Sequence, residues 1–269
     1  MAERERVGDV ASPKQWRDLR PRRSNGGTCG PAETMAGPAA CNVSTVLEET
    51  KAVAAQIDAE IRNLPVQNTP GERAIRRKYS RELRKASALF VLDVARELVW
   101  NYGRRSVPYE LIAGHRAAFA ILGEAELEEL GWGINSWWSV DAFARTLAGP
   151  AWRTGQVSDA LIRRWAGSAD RWWRRAALVS TVALNVRSHG GRGDVPRTVA
   201  VCRLLVADHD DMVAKAMSWA LRELVVYDPA AVRGFLREHD GVLAALVRRE
   251  VNNKLRTGLK NPRGKGAGR

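Results

Sequence analysis

From Ser44 onward the chain reads as one amphipathic helix after another, and this period constrains its fold more than any other feature. Val46, Val53, Ile57 and Ile61 recur at helical spacing behind Ser44, which has the residue type of an N-cap. Pro65 ends that helix. Thr69-Pro70 opens a second with proline at the first helical position, and Ser87 starts a third. Further helices are expected over 107–122, 124–131, 136–147, 157–167, 170–187, 195–207, 210–226, 229–238 and 241–257. Breaks are expected at Gly103, Gly123, Gly149-Pro150, Gly190-Gly191, Asp228-Pro229 and Asp240-Gly241. No run of alternating β-branched residues supports a strand. The expectation is an all-α chain of short antiparallel helices, arranged as an α-solenoid or an irregular bundle. Helix pairs in the second half recur about every 35–40 residues, near HEAT-like spacing.

Residues 1–42 break this pattern. They hold TCGPAETMAGPAAC and RPRRSNGG, carry no hydrophobic period, and read as a disordered extension within which Met35 is an alternative start. The first residues are charged throughout and offer no apolar signal core. No apolar run reaches the length of a membrane span. Cys29, Cys41 and Cys202 form neither a disulfide framework nor a metal-ligand spacing.

The chain of 269 residues has a net charge of +13. Its last 22 residues hold eight basic residues and one acidic, so more than half of the excess lies there. The segments 71–85 (GERAIRRKYSRELRK) and 163–175 (RRWAGSADRWWRR) carry +5 and +4. Clusters of this kind form an electrostatic footprint for a polyanion, although a basic run is also an ordinary solvated face. Arg outnumbers Lys 35 to 8, which hints at a GC-rich genome.

Nucleophile and cofactor motifs are missing: no GxSxG elbow, HExxH, Walker loop or paired CxxC occurs. DHDD at 208–211 reads as a helix start with Asp near the dipole rather than a metal site. SHGGRGD at 188–194 follows no strand, so it reads as an interhelical loop rather than a phosphate cradle. Neither a metal nor a cofactor is expected.

Ten tryptophans are more telling. Trp100, Trp165 and at least one member of each Trp pair are expected in the core. Trp137 and Asp141 are four apart, as are Lys215 and Trp219, so each couple shares a helix face. A lone carboxylate buried with Trp137 would be costly. Placed on a concave surface, aromatic faces attract cations, a carboxylate favours developing positive charge, and guanidinium groups bind phosphate. An alkylated purine nucleotide, cationic at the base and anionic around it, fits that set.

SWWSVDAF, DRWWRRAALV and KAMSWALRE, in this order on a basic all-helical chain, resemble the DNA alkylation repair family of HEAT-like DNA glycosylases, the AlkD-like proteins. The resemblance covers roughly residues 70–260. It implies a HEAT-like domain over 43–257, a superhelix with a concave basic groove for double-stranded DNA, and a basic flexible tail over 258–269. It implies hydrolysis of the N-glycosidic bond of cationic N3- or N7-alkylpurines, without a deep base pocket. Trp137, Asp141, Arg175 and Trp219 match the family's catalytic positions. Trp138 could be argued in place of Trp137, whose four-residue spacing to Asp141 favours it. Many members carry an acidic residue where Trp138 stands. Arg175 matches the Arg that supports the catalytic site from the next helical pair and is also expected to grip a phosphate; Lys215, Arg174, Arg222, Arg248 and Lys254 are expected to contact DNA. A cytoplasmic, nucleoid-associated bacterial monomer with no membrane and no obligate protein partner is expected. Two rival classes remain: a non-enzymatic HEAT-like scaffold, which a salt-bridged and buried Asp141 would favour, and an architectural DNA-binding protein relying on the tail.

Overall fold

The computed structural model describes residues 38–262, with side-chain burial from residue 45. Among the described residues every regular element is helical. The expected extension lies outside them as far as residue 37, and the tail from residue 263 onward. The first helix, α1, spans Pro38–Arg62, so it starts before Ser44 rather than at it.

The chain divides into two compact units. The first comprises the described chain up to Ile121 together with Glu128–Trp132. It holds α1, α2 (Thr69–Glu82), α3 (Ala88–Trp100), α4 (Ser106–Gly114) and α5 (Arg116–Ala120). Local chemistry sets their starts. Asn68 accepts the Gly71 N–H at 2.9 Å with Pro70 inside the first turn, and Ser87 accepts the Phe90 N–H at 3.1 Å. The single helix expected over 107–122 is interrupted, because His115 Nδ1 accepts the Ala118 N–H and caps α5 separately. Ile57, Ile61, Ile75, Tyr79, Val94, Leu98 and Leu111 form the core of this unit.

The second unit, Leu122–Leu127 and Gly133 onward, contains every candidate site residue. After α6 (Glu124–Gly131), which the two units share, come α7 (Trp137–Phe143), a π turn (Ala144–Ala148) and α8 (Gly149–Arg153). Then follow α9 (Asp159–Ala166), α10 (Arg171–Asn185), α11 (Val195–Leu204), α12 (Asp211–Leu224), α13 (Pro229–Glu238) and α14 (Ala245–Thr257). The break expected at Gly149-Pro150 does not occur. A proline clashes with the carbonyl four residues back, and the wider π turn, with Gly149 N–H bonded to Ala144 O, takes up the ring without ending the helix.

Cross-helix contacts in this unit recur at sequence separations of 32 to 39 residues, from Ser218–Glu250 to Arg171–Asp210. Asp141 meets Arg175 near the starts of α7 and α10, and Gly149 meets Ser180 and Ala183 further along both. The α7–α8 segment and α10 therefore lie side by side with the same chain direction. Arg175 to Met212 O and Tyr227 Oη to Gly191 O relate α10 to α12 in the same way. The helix-pair spacing read from the sequence thus has a physical basis in recurring contacts between alternate helices.

Gly149 brings α8 and α10 together. A Cβ there would stand 2.6 Å from both the Ala183 Cβ and the Ser180 carbonyl oxygen. Gly149→Ala is expected to destabilise the protein by about 1–3 kcal/mol through overpacking, checked as a lower urea midpoint at unchanged slope.

Candidate active site

The site begins with a helix start. Ser136 caps α7, and its hydroxyl exchanges hydrogen bonds with Ser139 in a capping box. Core positions in this turn go to Ser139, Val140 and Phe143, which are buried. Trp137 and Trp138, ahead of them, are left 58% and 47% exposed. The expectation that one of this pair is a core residue is therefore corrected. Elsewhere it holds: Trp165 and Trp173 are buried and pack against Phe143, Trp173 edge-on, with the two indoles tilted at 4.9 Å between centroids. Trp100 is only half-buried.

One turn beyond Trp137 stands Asp141, its side chain 18% exposed. Arg175 of α10 binds it bidentately: Nε donates to Oδ1 and Nη2 to Oδ2, both at 2.9 Å. Arg175 Nη1 donates to the Met212 carbonyl of α12 at 2.6 Å, and the residue is 5% exposed. One guanidinium thus ties three neighbouring helices. Arg175 is committed inside the protein, which corrects the expected phosphate grip. Burial pushes the Asp141 carboxyl above its ordinary range, opposed by Arg175 and by the charge of Arg145. Arg145, half-buried in the π turn, was not singled out by sequence reasoning, although its four-residue spacing from Asp141 is the signal for it.

Trp219 on α12 is half-buried, and its Nε1 donates to Glu223 Oε1 at 2.9 Å. Glu223 is a second residue that sequence reasoning missed, again at a four-residue spacing. Lys215 is exposed and paired with Asp211 at 2.6 Å. Such an exposed pair is worth little and is free to exchange for phosphate. Arg248 is held loosely, 3.5 Å from Asp240, and Lys254 donates to the Gly258 carbonyl.

Two of the expected DNA contacts are tied up. Arg174 donates to Asp208 at 2.7 Å and to the carbonyls of Ser168 and Ala169. Arg222 donates to Ser218 Oγ and lies 3.8 Å from the buried Glu250. The positive run 163–175 is mostly spent on pairing within the protein, since Arg164 and Arg175 meet acidic residues on other helices, and Arg171 and Arg174 meet Asp210 and Asp208 in the loop before α12. By contrast Arg77, Arg81, Arg84 and Lys85 of the first unit are exposed.

DHDD behaves as a helix start. Asp210 caps α12 by accepting from Met212 and Val213 N–H, and Asp208 and Asp211 hold Arg174 and Lys215. Among the described residues no group of three His, Cys, Asp or Glu is placed to hold a metal. Cys202 is buried, which pushes its thiol up to about 12, too high for a nucleophile at neutral pH. No helix among the described residues is long and apolar enough to cross a membrane.

Chemically, the arrangement is a largely desolvated carboxylate, oriented by Arg175, four and three residues along the same helix from two exposed indoles. Removing one partner of a buried ion pair is costly, yet the pair itself adds little stability over an apolar replacement. The family model described as DNA alkylation repair enzyme matches residues 68–255. No curated protein matches the chain.

Proposed function

The chain belongs to the DNA alkylation repair enzyme family, and from that premise we propose that it is a DNA glycosylase acting on cationic N3- or N7-alkylated purines in duplex DNA. The observation that supports this best is the bidentate Asp141–Arg175 pair on the helix that also carries the exposed Trp137 and Trp138. A cationic alkylpurine is already a good leaving group, so protonation by a general acid contributes little. The demanding part is the oxocarbenium-like deoxyribose.

In this reading, the electron pair of the N-glycosidic bond passes to the base and neutralises its charge. A water oxygen adds at C1′, and its proton passes to Asp141. Asp141 also stabilises the developing positive charge, an interaction stronger in the transition state than in the ground state. Trp137 and Trp219 line the sugar and add cation–π attraction, with the Glu223 bond fixing the Trp219 indole. Arg175 is a positioning residue that holds the carboxylate. Arg145, Lys215 and Arg248 hold phosphates, which keep the strand in register without reading sequence. In this reading the helix pairs of the second unit are HEAT-like repeats that present basic side chains to the duplex. The protein works as a monomer without metal or cofactor, in the cytoplasm of a bacterium at the nucleoid.

The test is release of N7-methylguanine from methylated duplex DNA, compared with a buffer control. Trp137→Ala and Trp138→Ala separate the two alignments, since both indoles are exposed and neither is needed for folding. Each variant is expected within about 0.5 kcal/mol of wild-type stability. Trp137→Ala is expected to slow single-turnover release by at least tenfold, and Trp138→Ala by less.

One observation favours a second reading. Asp141 is salt-bridged and largely buried, as in a scaffold that binds DNA without chemistry. The two readings part at excision: a scaffold binds methylated duplex and releases no base.

A further inference from the structure

A second concentration of positive charge lies at the far end of α10, away from Asp141. Leu184 stands nine residues beyond Arg175, about 14 Å along the helix axis. A cavity of about 330 Å³ opens there, lined by Arg153, Arg192, Arg197, Asp194 and Gly190 among others.

The loop that forms it, SHGGRGD, does not cradle an anion with its backbone. Gly190 N–H donates to Arg187 O, Gly191 N–H to Val186 O, and Arg192 and Gly193 N–H both to Leu184 O. Asp194 closes the start of α11 by accepting from the Arg197 N–H. What the loop does supply is room. Gly190 has φ +82°, and the Arg153 guanidinium lies against it where a Cβ would stand.

The three guanidinium groups differ in what they already hold. Arg197 donates to Asp194 at 2.6 Å and to the Trp152 carbonyl at 3.0 Å, and stacks over the Trp152 ring. Arg192 is exposed and has no ion pair among the described residues. Arg153 Nε is buried and has no hydrogen-bond partner among the described residues. A buried guanidinium N–H without an acceptor is costly and rare. Asp194 offsets one of the three charges, which leaves the cavity at a formal +2.

We propose that this cavity is a binding site for a small phosphate-class dianion, held by Arg153 and Arg192 and separate from the excision site. The planar forks of two uncompensated arginines match a tetrahedral dianion in charge and geometry. A DNA backbone phosphate, a diester with one charge, matches it less well. Two sources share the chemistry, free phosphate and the phosphoryl group of a small monoester.

The test titrates the full-length protein with inorganic phosphate and with glycerol 3-phosphate by calorimetry. Chloride at matched ionic strength is the control, and thermal melting is followed in parallel. Wild type is expected to bind saturably at one site and to melt higher with either dianion than with chloride. The tighter of the two ligands identifies the source. Arg192→Ala, a change at an exposed side chain, is expected to weaken binding at least fivefold. Arg153→Met is expected to weaken it at least tenfold, and Asp141→Asn to leave it unchanged. The proposal is overturned by a wild type that responds equally to phosphate and chloride. Arg192→Ala titrating like wild type, loss of binding in Asp141→Asn, or displacement of phosphate by an undamaged duplex also overturns it.

Discussion

Asp141→Asn is expected to lower the single-turnover rate of N7-methylguanine release by about two to three orders of magnitude, while affinity for duplex DNA stays within about threefold. The size follows from removing one oriented electrostatic partner of a transition state in a desolvated site, about 3–4 kcal/mol. Asparagine keeps the shape and one acceptor for Arg175 but leaves the buried guanidinium without its counter-charge, so melting falls as well, and the rates are compared at a temperature where both proteins are folded. The wild-type pH profile carries a second signature. The reactive form is the carboxylate, so the rate falls as pH drops through the Asp141 pKa. Burial holds that pKa above the ordinary carboxylate range, so the fall begins at higher pH than an exposed aspartate would give. In Asp141→Asn this limb of the profile disappears. Full activity in the variant would sink the glycosylase assignment, and absence of excision in wild type would favour the scaffold.

Arg175→Met is expected to destabilise the protein by about 3–5 kcal/mol, because it strands a buried carboxylate without its partner. At about 2–4 °C per kcal/mol for a chain of this size, the melting midpoint drops by about 10 °C. The Met212 carbonyl loses its donor as well, so three helices loosen together. Arg175→Lys is not a rescue, since an ammonium cannot reproduce the fork that meets both Asp141 oxygens. The double variant Arg175→Met/Asp141→Leu is expected to regain most of the stability and none of the activity. That result shows that the lost stability comes from the stranded charge, and that the fold survives without the pair while excision does not. Unchanged melting in Arg175→Met would mean that the pair is not formed in solution.

The site was unevenly legible in the sequence. Trp137 and Asp141 share a helix face by spacing alone, and Glu223 and Arg145 sit at the same four-residue interval from Trp219 and Asp141, where they could have been found. Arg175 was singled out as a support of the site from the next helical pair, whereas the phosphate grip also expected of it overlooked a partner that lies 34 residues away. The same holds for the basic run 163–175. A local count of charge cannot see acceptors such as Glu124, Asp208 and Asp210, which meet it only after neighbouring helices pack.

Helix type, most helix starts and the regular spacing of helix pairs were determined by the sequence itself, because hydrophobic period, caps and proline act within one or two turns. Tertiary structure decided which charges are spent internally, which indoles remain exposed, and that Pro150 widens a helix instead of ending it. Those outcomes depend on what the next helix places opposite a residue. At Asp141 the partner is an arginine whose third hydrogen bond goes to a further helix, a coincidence of three chain segments that no local pattern encodes.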